Sequence, residues 1–222
     1  MKIAIYTAQS GMETELRDPP VIHKDVDYIA FTDKNITSKV WQVRPVIQFS
    51  NIDSDYVSRR DAKIYKILPN LFLPEYDLTV WHDSSCYCLA HPSEIAKNHM
   101  INEDLAVFYH RWRNCVYEEA QEVIRLNRDS ADKVESQVNY YKSKSYPEKN
   151  GLYELPVIFR KNSESNSVMN LRWWEHICKF SSRDQISFPF VLWSMNKKPV
   201  VLAGRANTRS NNIAPRYPRY RR

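Results

Sequence analysis

The most informative stretch of this chain is Leu73–Ser85, which reads LPEYDLTVWHDSS. It has the pattern of a loop followed by a short apolar strand, and the strand ends abruptly in the carboxylate of Asp83 and two hydroxyls. Because ligands of an α/β sheet bind outside the carboxyl ends of its strands, a carboxylate at this place is suited to a metal or a substrate. The alternative is that Asp83 is a turn residue or a helix N-cap.

Short apolar runs predict the other strands of this sheet. They lie at Lys2–Ala8, Asp27–Thr32, Trp41–Ile47, Leu105–Tyr109, Leu155–Arg160 and Pro199–Leu202. Helical patterns alternate with them at Ser58–Leu68, Asn114–Asn127, Ala131–Lys142, Val168–Phe180 and Arg183–Trp193. This alternation predicts an α/β fold with a mostly parallel central sheet flanked by helices. A chain of 222 residues is long enough for one such domain.

Glycine is scarce, with only 3 residues in the whole chain. Neither a G-x-G-x-x-G turn nor a Walker loop can be written with so few, so phosphate binding by a glycine-rich loop is excluded. If the protein binds a nucleotide, its side chains or a metal ion must neutralise the phosphates.

The formal net charge of +6 is concentrated at the C-terminal end. From Arg205 onward the chain has six arginines and no acid, so residues 1–204 are formally neutral. A neutral body argues against nucleic acid as a partner. We therefore predict one domain over residues 1–204 and a basic tail or linker over residues 205–222. Binding of a polyanion by this tail is kept as an alternative function.

The four cysteines do not form a recognisable metal site. Cys86 and Cys88 make a C-x-C pair, but no second pair or histidine cluster completes a zinc site, so reduced thiols are expected. The first residues have too short an apolar run for a signal peptide, and no window of about 18 apolar residues exists. The sequence thus predicts a soluble, cytoplasmic protein without a membrane span.

Several segments follow one another in an order and spacing that are typical of one family. They are Ile5–Ala8, Arg17–Pro20, Asp27–Asp33, Arg60–Pro69, Leu73–Ser85, His110–Ala120, Gly151–Glu154, Val157–Arg160, Trp173–Trp174 and Ser182–Phe188. This set resembles the GT-A-type glycosyltransferase-like family, formerly a domain of unknown function, whose plant members are linked to mucilage polysaccharide synthesis. The resemblance covers about residues 1–195 and implies a GT-A-like, Rossmann-related fold. Plant members carry a membrane anchor, and its lack here suits a microbial or algal-virus member.

The resemblance implies a nucleotide-sugar donor, with a UDP-sugar favoured. The residues expected to contact it are Thr7, Ala8, Asp33, Arg60, Lys63, His110, Arg183 and Gln185. Arg60 and Lys63 are three positions apart on one helix face, from which they could reach a pyrophosphate. The alternative interpretation is that Arg60 and Lys63 belong to a solvated basic helix face, and this is the interpretation that we prefer for Lys66. For Asp33 the alternative is an ordinary turn residue.

The resemblance also assigns the metal and the acids. Asp83 and Ser85 stand where the family pattern has its Asp-x-Asp site, so Mn²⁺ or Mg²⁺ is the expected cofactor, held more weakly than by two carboxylates. Asp184 is the predicted catalytic carboxylate, a general base if the reaction inverts, and Glu154 is the second candidate. A carboxylate that favours the helix dipole is the structural alternative for Asp184.

Together, these expectations predict that the protein is a metal-dependent hexosyl- or deoxyhexosyltransferase that acts on a glycan or a protein-linked acceptor. A glycosyltransferase-like protein that binds a donor without turnover is the second alternative, because Ser85 replaces an acid of the metal motif.

Overall fold

The computed structural model describes residues 1–11, 15–47 and 57–218, and the side chains of residues 57–60 lie outside that description. The strands are β1 (Ile3–Gln9), β2 (Asp27–Thr32), β3 (Gln42–Pro45), β4 (Leu78–His82), β5 (Leu105–Tyr109), β6 (Tyr153–Lys161) and β7 (Val200–Leu202). The helices are α1 (Val57–Ile67), α2 (Pro69–Phe72), α3 (Pro92–His99), α4 (Val116–Arg125), α5 (Ala131–Ser143), α6 (Glu164–Lys179) and α7 (Asp184–Ser194).

The strands form one seven-stranded sheet in the order β3-β2-β1-β4-β6-β5-β7. Strand β6 runs antiparallel to both of its neighbours, β4 and β5, while the other paired strands run parallel. The prediction of an α/β fold with a mostly parallel sheet is confirmed. The reversal of β6 has a consequence for function, because it brings the start of β6 to the edge where β1, β4 and β5 end.

The central strands are buried on both faces. Every residue of β1 and β4 is buried, which explains why these segments are continuous apolar runs without alternation. One face packs against α1, α6 and α7. The other face is covered by α3 and by residues of the C-terminal segment. A smaller apolar cluster joins α4 and α5 to α7 beside the sheet.

A buried arginine on β6 fixes the C-terminal end of α1. The Arg160 guanidinium donates to the carbonyl oxygens of Lys66 and Ile67, to the Tyr6 hydroxyl at 3.0 Å and to the Asn170 side chain at 2.8 Å. The last carbonyl groups of a helix carry partial negative charge, so a cation is stabilised there. This contact sets the position of α1, and α1 carries two lysines of the site described below.

The sequence predicted the strands well and missed two helices. The predicted strands at Asp27–Thr32 and Leu105–Tyr109 match the observed ones end for end, whereas Trp41–Ile47 overstated β3. Helices α2 and α3 were not predicted, because four and eight residues give too short a window for periodicity. The start of α3 does carry a signal, since Pro92 occupies the first turn and the His91 side chain caps it.

The prediction of a detached tail from residue 205 is wrong for residues 205–218. Ala206 and Ala214 are fully buried, and only 6% of Tyr217 is exposed. The backbone of this segment also pairs with the loop after β4: Leu89 N donates to Ile213 O at 2.8 Å, and Tyr217 N to Ser85 O at 3.0 Å. The arginines misled the prediction, because they point outward from a segment whose few apolar side chains point inward.

Among the described residues, no helix has the length and apolar character needed to cross a membrane. The longest, α6, has 16 residues and carries charged side chains along its length.

Candidate active site

A cleft of about 930 Å³ opens at the sheet edge where β1, β4 and β5 end and β6 begins. One half of it is lined by residues at and just after the ends of β1 and β4, by residues of α1, and by residues at the start of α7: Ala8, Ser10, Gly11, Lys63, Lys66, Trp81, Asp83, Ser84, Arg183, Asp184 and Gln185. The other half is lined by the loop after β5, the start of β6, α4 and the C-terminal segment: His110, Arg111, Trp112, Arg113, Glu119, Glu122, Arg128, Glu154 and Asn207. We refer to these as the lysine half and the arginine half.

The lysine half is organised around a network of ion pairs. Lys66 Nζ lies 2.6 Å from Asp184 Oδ2 and 3.4 Å from Asp83 Oδ1. Lys63 Nζ lies 3.2 Å from Asp184 Oδ1. The Lys66 side chain is only 6% exposed, so its charge is balanced by these carboxylates rather than by water. The interpretation of Lys66 as a solvated residue is therefore wrong.

The surroundings of Asp184 make it a poor proton acceptor. Burial alone would raise the pKa of Asp184, but Lys63, Lys66 and Arg183 outweigh that effect and hold the pKa well below its usual range. Burial likewise disfavours the charged form of Lys66, yet Asp184 and Asp83 raise its pKa. Both groups are thus held in their charged forms, and Asp184 positions two ammonium groups in the cleft.

A buried aspartate outside the cleft fixes the turn that delivers Asp184. Asp129 accepts hydrogen bonds from the hydroxyls of Ser181 and Ser182 and from Ser182 N, at 2.7 to 2.8 Å. Because both serine hydroxyls bind Asp129, neither caps α7, and the N-cap position of this helix is taken by Arg183. Asp184 begins the helix, where its carboxylate also favours the helix dipole.

Asp83 has one oxygen engaged and one open. Its Oδ1 accepts from Trp81 Nε1 at 2.9 Å and contacts Lys66, while no described residue bonds to Oδ2, and the side chain is 42% exposed. Ser84 lines the cleft beside it, whereas Ser85 does not and instead bonds through its carbonyl to Tyr217. Of the predicted metal pair, the structure brings only Asp83 to the cleft.

The described residues contain no group of three or more acidic, histidine or cysteine side chains that could hold a metal by themselves. The open oxygen of Asp83 nevertheless fits a magnesium-like ion, which is commonly bound by one or two carboxylates together with water and substrate phosphates. The neighbouring Lys66 ammonium reduces the attraction of Asp83 for a cation. The chemistry of this donor set therefore suits a cation that arrives with a phosphorylated ligand.

Four of the residues predicted to contact the nucleotide-sugar donor do not all lie in the cleft. Ala8 lines the cleft, but the Thr7 side chain is buried on the opposite face of the sheet, with Oγ1 lacking a hydrogen-bond partner among the described residues. Asp33 lines a separate hollow at the ends of β2 and β3 and accepts a 2.7 Å bond from Gly11 N. It can shape the cleft through Gly11 and through Ser10, whose hydroxyl donates to Asp33 Oδ2 at 3.4 Å. The Arg60 side chain lies outside the described residues.

Two buried glutamates organise the arginine half. Both carboxylate oxygens of Glu154 accept from the Arg111 guanidinium, and the Arg113 guanidinium donates to Glu119 Oε2 at 2.7 and 2.8 Å. Glu154 was predicted as a catalytic acid, but this two-pronged pairing makes it the anchor of the loop after β5. Nothing in the sequence pointed to Arg111, because its partner is brought near by the reversed strand β6.

His110 lies between these pairs, with its ring pointing into the cleft. Its Nδ1 accepts from Arg113 N at 3.0 Å, and its Nε2 lies 3.8 Å from Glu119 Oε2. Burial is the main effect that lowers the pKa of His110, so the ring is neutral near pH 7 with its proton on Nε2. Arg183 and Gln185 also line the cleft, and Arg183 Nη2 lies 3.4 Å from Gln185 Oε1.

Comparison with solved structures shows that the chain has the GT-A glycosyltransferase fold. The structure of mouse xyloside xylosyltransferase 1 matches with a TM-score of 0.52 and 8% identity, covering 90% of this chain and 84% of that one. The galactosyltransferase LgtC, solved with donor and acceptor sugar analogs, has a TM-score of 0.48 and 8% identity, covering 90% and 72% of the two chains.

The chain belongs to the TOD1/MUCI70 glycosyltransferase-like domain family, whose model matches residues 25–217. A curated relative, "Probable hexosyltransferase MUCI70" of Arabidopsis thaliana, is 25% identical over 169 residues. That match covers 72% of this chain and 28% of the plant protein, so the chain spans less than a third of the length of this relative. The family resemblance found in the sequence is confirmed.

Proposed function

We propose that the protein transfers a hexosyl or deoxyhexosyl group from a nucleotide-sugar donor, with UDP favoured, to a glycan or glycoprotein acceptor. The observation that carries this proposal is the cluster of Lys63, Lys66 and Arg183 in the lysine half, which two carboxylates oppose among the described residues. This half has a positive excess at the sheet edge where α/β folds bind their ligands, as a diphosphate requires. The relative named as a probable hexosyltransferase supports the class of sugar.

The residues of the lysine half have distinct roles in this proposal. Lys63 and Lys66 bind the donor phosphates and stabilise the negative charge that develops on the departing nucleoside diphosphate. Asp184 pairs with both ammonium groups and holds them in place, so it acts as a positioning residue. Gln185 and Arg183 stand at the start of α7, where they can contact the sugar or the phosphates.

The same proposal includes Mn²⁺ or Mg²⁺ at Asp83, completed by donor phosphates and water. Such an ion supplies further neutralisation of the leaving group. Because Asp83 alone faces the cation and Lys66 competes for it, we expect the metal and the nucleotide to bind together and each to bind poorly alone.

Titration calorimetry with UDP in the presence and absence of Mn²⁺ tests this expectation. UDP and Mn²⁺ together should stabilise the protein by roughly 2.7 kcal/mol at a hundredfold excess over the dissociation constant, and Asp83→Asn should remove the metal dependence. Asp77→Asn is the matched control, since Asp77 is an exposed aspartate that precedes the same strand. If UDP with Mn²⁺ at millimolar concentration changes neither the heat signal nor the melting temperature, the nucleotide assignment is wrong.

One observation favours a second function, binding of a donor without turnover. Asp184 and Glu154, the two acids predicted to be catalytic, are both engaged by cationic side chains. Hydrolysis or transfer from a panel of nucleotide sugars separates the two functions. A donor that binds tightly but releases no nucleoside diphosphate over many hours would identify a binding protein.

A further inference from the structure

The loop after β5 exposes a tryptophan at the cleft. The Trp112 side chain is 72% exposed and lines the arginine half. Its ring contacts the Arg111 guanidinium at 5.1 Å from the centroid and the His110 ring at 6.1 Å. A large apolar ring left exposed at the mouth of a polar cleft marks a contact surface for a ligand or partner.

The loop that carries Trp112 is held at several points. Arg111 is fixed by Glu154 and also donates to Ala206 O at 2.9 Å, and Arg113 is fixed by the buried Glu119. His110 N donates to Leu152 O at 2.8 Å. Anchors before and after Trp112 keep the loop in one conformation, so the indole is presented in advance of binding and little conformational entropy is lost when a ligand stacks on it.

The charge of the arginine half limits what can stack there. Its lining has three arginines, Arg111, Arg113 and Arg128, against three glutamates, Glu119, Glu122 and Glu154. The formal charge is therefore zero, in contrast with the positive excess of the lysine half. A neutral surface that offers both donors and acceptors beside an aromatic ring is complementary to a pyranose, whose C–H face is apolar and whose hydroxyls both donate and accept hydrogen bonds.

We propose that the arginine half is the acceptor subsite and that it binds a neutral pyranose residue stacked on Trp112. This inference rests on the proposed function, since it assigns the substrate class of the second half of the same cleft. The anionic alternatives, a uronic acid or a phosphorylated sugar, would place a charge where the arginines are already paired.

The 19F spectrum of protein labelled with 5-fluorotryptophan tests this directly, because the chain has six tryptophans with well-separated surroundings. Trp81 bonds to Asp83 in the lysine half and reports on UDP with Mn²⁺. Trp112, assigned through Trp112→Phe, reports on sugars. Buried Trp41 and Trp173 serve as internal controls. The probes are methyl hexopyranosides of both anomers, and methyl glucuronoside serves as the anionic comparison ligand of similar size.

We expect at least one neutral pyranoside to shift the Trp112 resonance with a dissociation constant on the order of millimolar, and the glucuronoside to bind more weakly. For a glycoside that accepts sugar, Trp112→Ala should raise the acceptor KM by roughly tenfold or more, with Trp112→Phe much closer to wild type. The dissociation constant for UDP should not change. Leu71→Ala, at an exposed apolar residue outside the cleft lining, should change neither constant.

Two results would overturn the assignment: a Trp112 resonance that no neutral pyranoside moves at about 100 mM, or a glucuronoside that binds as well as the neutral sugars. Failure of the proposed function looks different, because Trp81 would then not respond to UDP with Mn²⁺. The response of Trp112 to sugars decides the acceptor subsite in either case.

Discussion

Replacing Asp184 with asparagine is expected to lower the free energy of unfolding by about 3–5 kcal/mol, the usual cost of removing one partner from a buried ion pair. The substitution leaves the buried Lys66 and the half-buried Lys63 without their shared carboxylate. In a protein of this size the loss corresponds to a fall of roughly 10 °C in the melting temperature. Calorimetry and urea denaturation measure it. Donor binding should weaken as well, because the two ammonium groups lose the carboxylate that positions them.

The control is Asp83→Asn, which removes the other carboxylate that contacts Lys66. The Asp83 side chain is 42% exposed, so its pair with Lys66 is screened by water and its loss should cost about 1 kcal/mol or less. The sequence predicted a different result, in which Asp184 is a general base and its replacement slows sugar transfer without destabilising the protein. An Asp184→Asn variant that melts within a few degrees of wild type, binds UDP normally and transfers sugar about a hundredfold more slowly would restore that role.

The contribution of Asp184 should depend on pH in a defined direction. Its pKa is depressed in the folded state, so its stabilising effect is complete above the ordinary carboxyl pKa of about 4 and is lost as the pH falls below that value. The difference in melting temperature between wild type and Asp184→Asn should therefore be constant from pH 7 to pH 5 and should narrow towards pH 3. A difference that widens on acidification would contradict the ion-pair assignment.

Ending the chain after Gly204 is expected to yield little folded protein. The deletion removes the buried side chains of Ala206, Ala214 and Tyr217 and the hydrogen bonds between residues 213–217 and the loop after β4. Together these contacts are worth several kcal/mol, a large part of the about 5–15 kcal/mol by which a domain is stable. The deletion also removes the carbonyl of Ala206 that holds Arg111. The yield of soluble protein and its melting temperature measure the effect.

Two variants separate packing from charge in this segment. The first variant replaces three exposed arginines by glutamine: Arg205, Arg209 and Arg216. It removes charge but no buried side chain, so its melting temperature should stay within about 2 °C of wild type. Tyr217→Ala keeps the charge and removes a buried ring, and should cost about 3–5 kcal/mol, the usual loss for a large buried side chain. A chain truncated after Gly204 that melts like wild type would mean that residues 205–218 are a linker after all.

Local pattern was sufficient for the strands and for the identity of the residue at the end of β4. Continuous apolar runs in β1, β2 and β5 can only be satisfied by burial on both faces, so the sheet follows from them directly. The ordered motifs then gave the family, since their spacing reflects the same fold. Such patterns describe only the part of the chain within about ten residues of each position.

Local hydrophobic pattern was therefore enough to predict the α/β class, the strands and the placement of Asp83 at a strand end. The charged contacts of the site, in contrast, depend on residues that the fold brings together from distant parts of the chain. Lys66 has the local pattern of a solvated lysine and is buried because α7 brings Asp184 to it from the far end of the chain. Glu154 reaches the cleft because β6 is antiparallel to β4, and there the Arg111 guanidinium donates hydrogen bonds to both carboxylate oxygens of Glu154. Burial of a charge is stable only when a partner is present, and such partners are remote in sequence, so local pattern cannot contain them.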